Sequence, residues 1–200
     1  MSRSRVFGGI AAASFFAVAF VGVLTLMHGR DAELEAILAR TRGEHVRVPL
    51  APAEADYQVE ARRGSEVVPM RIADLSARVV FVNFWATFCP PCIEELPSLL
   101  ALARSRSPDQ MVVLAVSYDD SWDVIDEFLK KLPPGSIPPG FVVVRDPSHA
   151  AGHDLKALFG TEKLPETWIV RDGTVEVMYV SSRDWAEPDF AALVDRMLAK

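Results

Sequence analysis

The chain has 200 residues, half of them hydrophobic, and a formal net charge of −6. That length holds one globular core and an appendage, and an acidic chain without a lysine–arginine cluster lacks the basic face that nucleic acid requires. Its two cysteines, Cys89 and Cys92, are too few for a disulfide scaffold or a zinc ribbon, and enough for a reversible dithiol.

From Val6 to Met27 the chain runs 22 residues without a charge. As a helix this spans about 33 Å at ~1.5 Å per residue, enough to cross a hydrocarbon layer of roughly 30 Å. Arg3 and Arg5 precede the run, and Asp31, Glu33 and Glu35 follow Arg30. The charge bias keeps the N-terminus in the cytoplasm and sends the remainder across, so residues 1–30 read as an uncleaved transmembrane anchor. The competing reading is a cleaved signal peptide: Ala17-Val18-Ala19 has the letters of a cleavage site but lies mid-run. Either reading puts the cysteines in an oxidising compartment.

Residues 31–55 read as a juxtamembrane helix and a linker. Leu34, Ile37 and Leu38 recur at helical spacing up to Gly43, and Pro49 to Ala55 is rich in proline and alanine. Residues 56–200 form the expected domain. Tyr57–Glu60 and Val67–Met70 flank a polar turn at Arg62-Arg63-Gly64 and predict a hairpin. Val79 to Trp85 is a continuous β-branched and aromatic run, as a buried central strand requires. Pro90–Arg106 reads as a helix with prolines allowed in its first turn and a kink at Pro97. A strand Met111–Val116, a helix Ser121–Leu132, a proline-rich loop at 133–140, a strand Phe141–Arg145 and a helix His149–Phe159 follow. Thr167–Arg171 and Thr174–Val180 flank Asp172-Gly173, a strong hairpin signal, before a last helix, Pro188–Ala199. Strands alternating with helices predict a three-layer α/β/α fold on a mostly parallel sheet with an antiparallel terminal hairpin.

Cys89-Pro90-Pro91-Cys92 falls where the central strand hands over to a helix. Unpaired N–H groups and the helix dipole favour a thiolate at Cys89, and Cys92, one turn on, can resolve a mixed disulfide formed there. Pro90 and Pro91 restrict the backbone between them. Trp85 and Phe88 are aromatic residues just before the motif. Glu95, three residues after Cys92, lies on the same helix face and is the candidate for handling the Cys92 proton; a solvated helix acid is the alternative.

The segment Val80 to Pro97, VFVNFWATFCPPCIEELP, resembles the active-site segment of the TlpA/ResA/DsbE-like thioredoxin family of membrane-anchored thiol–disulfide oxidoreductases, and the likeness runs from Tyr57 to the C-terminus. Asn83 stands where thioredoxin has a buried acid, Glu95 and Pro97 follow Cys92 at the family's spacing, and Phe141–Phe159 matches the family's inserted strand and helix. Leu164-Pro165-Glu166-Thr167 resembles the family's cis-proline segment, close to the cytochrome c maturation thioredoxins. Phe88 departs from the usual tryptophan. The resemblance implies a thioredoxin-like domain with an N-terminal hairpin, and a substrate face at Trp85, Phe88, Pro90, Pro91, Leu164, Pro165 and Glu166. It implies disulfide-bearing extracytoplasmic proteins as substrates, apocytochrome c among them, and a membrane carrier that returns electrons; the alternatives are an oxidant that forms disulfides with the same residues in reverse, and a peptide-binding or chaperone module without turnover. No cofactor and no metal is expected.

Other groupings are set aside. His149 and His153 have metal-pair spacing but no third ligand nearby in sequence. Asp119 and Asp120 read as loop and helix N-cap acids. Trp122, Trp168 and Trp185 read as core or groove-lining. No phosphate loop, dinucleotide fingerprint or nucleophilic serine motif occurs.

Overall fold

The computed structural model describes residues 32–63, 66–147 and 154–199. The run Val6 to Met27, Gly64, His149 and His153 lie outside them, so the expected anchor, hairpin tip and histidine pair fall there too. Among the described residues no helix is long and apolar enough to cross a membrane.

In chain order the elements are α1 (32–41), β1 (Glu44–Pro49), α2 (Pro52–Ala55), β2 (Val59–Arg63), β3 (Glu66–Met70), β4 (Val79–Trp85), α3 (Pro90–Arg104), β5 (Met111–Ser117), α4 (Trp122–Leu129), β6 (Phe141–Arg145), α5 (Leu155–Phe159), β7 (Glu166–Arg171), β8 (Thr174–Val180) and α6 (Pro188–Leu198). One eight-stranded sheet has the order β1-β8-β7-β4-β5-β6-β2-β3.

β4 is central and buried throughout because its side chains alternate between two apolar layers. Phe81 and Trp85 enter one layer with α3, α6 and α1; Val80, Val82 and Phe84 enter the other with Leu155 and Phe159 of α5. Asn83 falls on the α3 side, a polar residue at a core position. Each buried aliphatic side chain here is worth about 1.5–3 kcal/mol of apolar transfer.

The sheet is less parallel than the sequence predicts. Only β4–β5 and β5–β6 run parallel, because α3 and α4 are the helices that carry the chain back to a neighbouring strand in the same sense. β7 returns to the other side of β4 antiparallel, and the two hairpins are antiparallel by their tight turns. Pro97 lies inside α3, which continues through it.

The segment predicted as juxtamembrane helix and linker is folded in. Leu34, Ile37 and Leu38 of α1 are buried against the α3–α6 layer, and β1 pairs with β8. α2 occupies the stretch read as linker. Sequence periodicity misses β1 because it is an edge strand, mostly exposed, without a buried stripe. Gly43, between α1 and β1, is required: a Cβ there would lie 2.7 Å from Cζ of Tyr179.

Candidate active site

β4 ends at Trp85, and the next residues turn into α3, whose N-cap is Cys89. Cys89 and Cys92 form a disulfide, with 5.3 Å between their Cα atoms. Cys89 is 8% exposed and Cys92 2%, so Cys89 is the easier of the two to approach. Pro90 and Pro91 open the helix and have no N–H, and the N–H groups of Cys92 and Ile93 both donate to the Cys89 carbonyl, at 3.1 and 3.2 Å. The free N–H groups expected to favour a Cys89 thiolate are therefore spent or missing in this oxidised state; the helix dipole remains.

The loop before Cys89 is tied down by Asp119, a buried acid. Its carboxylate accepts from the Thr87 N–H at 3.0 Å, the Thr87 hydroxyl at 2.6 Å and the Ser117 hydroxyl at 2.7 Å. Asp119 lies in the loop after β5, as the sequence predicts, but it is buried there, and the N-cap of α4 is Ser121 rather than either acid.

The expected substrate-facing residues separate into two sets. Phe88 is 69% exposed beside Cys89. Trp85 is buried, its ring against Phe128 with 5.6 Å between centroids. The Leu164–Pro165 bond is cis. Glu166 pairs with Phe84 in the β7–β4 ladder, which puts Pro165 beside the end of β4 where the cysteine loop departs. Leu164 is half-buried; the Glu166 side chain is buried and accepts from the Trp168 indole at 2.9 Å.

Glu95 is not a solvated helix acid. It is 3% exposed, and three donors converge on it. The Asn83 amide gives to Oε1 at 3.0 Å; the Arg183 backbone N–H and the Trp185 indole give to Oε2 at 3.1 and 3.0 Å. Burial pushes its carboxyl above the usual range, while the Trp185, Arg183 and Asn83 bonds pull it back. Asn83 also donates to the Thr167 hydroxyl at 2.9 Å. Trp185 is locked among Phe81, Tyr179 and Phe190 by ring contacts of 5.7, 5.4 and 4.6 Å. A polar cleft between α3 and the loop after β8 has Glu95 in its wall, with Glu94, Ser98, Ser182 and Asp184 around it. The arrangement places a proton-binding carboxyl, held high by burial, on the helix that bears the dithiol.

Trp185, Arg183, Thr87 and Asp119 were not singled out as site residues by sequence. Trp185 and Arg183 lie far from the motif in the chain and reach it only through β8 and α6 docking.

Residues 54–178 match the AhpC/TSA family. The chain is 30% identical over 132 residues to the thiol:disulfide interchange protein HelX of Rhodobacter capsulatus, covering 66% of this chain and 68% of that one. It is 25% identical over 145 residues to the thiol-disulfide oxidoreductase ResA of Oceanobacillus iheyensis, covering 70% of each. Among solved structures it is similar to a thioredoxin-related protein from Neisseria meningitidis serogroup B, with a TM-score of 0.55 and 22% identity over 66% of this chain and 94% of that one; this likeness supports the thioredoxin-like fold.

Proposed function

Because this chain belongs to the AhpC/TSA family and is a thiol–disulfide oxidoreductase of the ResA and DsbE kind, we propose that it reduces disulfides of proteins outside the cytoplasm through Cys89 and Cys92. Apocytochrome c is the proposed substrate class. The observation that carries the reading is the disulfide at the N-terminus of α3 together with the buried Glu95 three residues on.

In the reduced protein the Cys89 thiolate attacks one sulfur of the substrate disulfide. A bond forms from Cys89 Sγ to that sulfur, and the other substrate sulfur leaves as a thiolate. Glu95, in its charged form, takes the Cys92 proton. The Cys92 thiolate then attacks Cys89 Sγ, expelling the second substrate sulfur as a thiolate and forming the Cys89–Cys92 disulfide. Two electrons pass from the dithiol to the substrate, and a membrane thiol-reductant carrier restores the dithiol. Phe88 gives the substrate an exposed apolar contact beside Cys89, and Leu164 flanks it from the cis-proline side.

The uncharged run Val6 to Met27 supports a single-pass anchor in the bacterial cytoplasmic membrane, with the domain on the periplasmic side. Carbonate treatment of membranes should leave the chain behind at full length.

Direction of flow follows the reduction potential against that of the partner. Equilibration with a dithiothreitol couple should give a value near the thioredoxin end of the scale, roughly −270 mV. A value near the strong oxidants, about −120 mV, would overturn the reductase reading.

A further inference from the structure

The loop 181–185 carries two of the three donors to Glu95; the Ser98 hydroxyl ties it to α3, accepting from the Trp185 N–H at 3.0 Å, and the Arg183 side chain ties it to α1. The Arg183 guanidinium donates to four main-chain carbonyls: Thr41 at 3.2 Å, Arg42 at 3.3 Å, Ser181 at 3.1 Å and Ser182 at 2.9 Å. It also lies over the Tyr179 ring, 5.6 Å from its centroid. The Thr41 and Arg42 carbonyls belong to the C-terminal end of α1, where carbonyls lack partners within the helix and the dipole is negative. A planar fork with five donors can serve several of them at once, where an ammonium is a single point.

The loop needs holding. Ser181 has a φ of 71°, left-handed for a residue with a side chain, a conformation that persists only when its surroundings impose it. The Ser181 N–H donates to the Pro165 carbonyl at 3.0 Å, so the loop touches the cis-proline segment as well. Thr41 is bonded to the Tyr179 hydroxyl at 2.8 Å; burial pushes that phenol up to about 12, so it stays neutral through the working range.

We infer that Arg183 is a positioning residue: its guanidinium clasps the end of α1 and thereby fixes the loop that presents the Arg183 N–H and the Trp185 indole to Glu95. The inference rests on the proposed role of Glu95 as the proton acceptor for Cys92. α1 then becomes part of the active-site support, and a disturbance at α1 reaches the Glu95 loop through Arg183.

The titratable and charged groups around Glu95 in the cleft are Glu94 on α3 and Arg183 and Asp184 on the loop; Tyr179 of β8 lies under the Arg183 guanidinium, and Cys92 precedes Glu95 by three residues on α3. Without the clasp the loop loosens and water enters the polar cleft. Water replaces the two lost donors, and the burial that holds the carboxyl high is relieved. Loss of the Arg183 charge pushes the carboxyl the other way, but burial is the largest influence on it, so Glu95 should then ionise at lower pH.

The test is the pH profile of protein-disulfide reduction, from pH 5 to 9, in the wild type, Arg183→Ala, Arg183→Lys, Glu95→Gln and the double variant Arg183→Ala/Glu95→Gln. The expected result is a shift of the Glu95-dependent limb to lower pH by about one unit in Arg183→Ala, a smaller shift in Arg183→Lys, and none when Arg183→Ala is added to Glu95→Gln. If Glu95→Gln changes the profile and Arg183→Ala does not, the clasp is refuted and the role of Glu95 stands. A shift that persists in the Glu95→Gln background refutes it equally, since Arg183 then acts by another route. If Glu95→Gln leaves the profile unchanged, the role of Glu95 falls, and the inference with it. Should urea unfolding show Arg183→Ala unfolded, Arg183→Lys decides alone, and its lack of any shift overturns the inference.

Discussion

Replacing Glu95 by glutamine and by leucine separates its charge from its hydrogen bonds. Glutamine keeps one acceptor oxygen, which can take the Trp185 indole and the Arg183 N–H. Its NH₂ then faces the Asn83 amide, which donates to Oε1 in the wild type. A flip of Asn83 presents its oxygen instead, and the Thr167 hydroxyl, now an acceptor from Asn83, turns to donate. The bonds around position 95 each keep a counterpart, so Glu95→Gln should change stability by less than about 1 kcal/mol at pH 7. Leucine leaves the Trp185 indole and the Arg183 N–H without partners, at about 1–3 kcal/mol each. Offset by apolar burial and the loss of a poorly solvated charge, the net cost is about 2–4 kcal/mol, or roughly 5–15 °C in Tm for a domain of this size. Urea unfolding of the oxidised proteins measures both. The pH dependence adds a sign. The folded-state pKa of Glu95 is raised, so its stabilising contribution is full below about pH 4.3, the unfolded value, and is lost as pH rises through the folded value. Glu95→Gln has no such loss and should gain on the wild type as pH rises through that window. Equal stability of the leucine and glutamine variants at pH 7 would refute the reasoning, because it would mean that the donors are satisfied by water from the cleft. A flat wild-type-minus-glutamine difference from pH 4 to 8 would refute the raised carboxyl.

Three further outcomes follow from the site and its support. Phe88→Ser removes a side chain that is 69% exposed; stability should stay within about 0.5 kcal/mol, while the rate on a protein disulfide falls and that on a small-molecule disulfide holds, both read in one insulin and glutathione comparison. Leu38→Ala should cost about 2–5 kcal/mol in urea unfolding, because Leu38 is buried in the core; no loss would mean that α1 does not pack on the domain. Pro91→Ala restores an N–H at the second position of α3 and should speed iodoacetamide alkylation of reduced Cys89 at pH 7, with an unchanged rate showing that the missing donor does not govern the thiol.

The central strand, the cysteine helix and the terminal hairpin were legible because each has a signal within a few residues. Val79 to Trp85 is apolar on both faces, Pro90 and Pro91 mark a helix start, and Asp172-Gly173 turns β7 into β8. The cysteine pair and the proline at 165 were legible for the same reason. The sheet's mixed sense was not, since the direction of β7 depends on which side of β4 it joins. Glu95 carried two readings because its burial is decided by Asn83, Arg183 and Trp185, all remote in the chain. The burial of Asp119 was not legible, because nothing beside it in sequence says that Thr87 will meet it.

The pairing of β1 with β8 has a consequence for how the chain is made. β1 is among the first elements to emerge during synthesis, and its partner is the last strand. Such a distant pairing closes a long loop, which slows folding and leaves an unpaired strand edge waiting. The loop 181–185 follows β8 directly, so the Glu95 pocket is completed at the same moment as the sheet. Until then the dithiol helix can form with its carboxyl still open to water. On the role proposed for Glu95, the site is completed in one late step, when β1 meets β8.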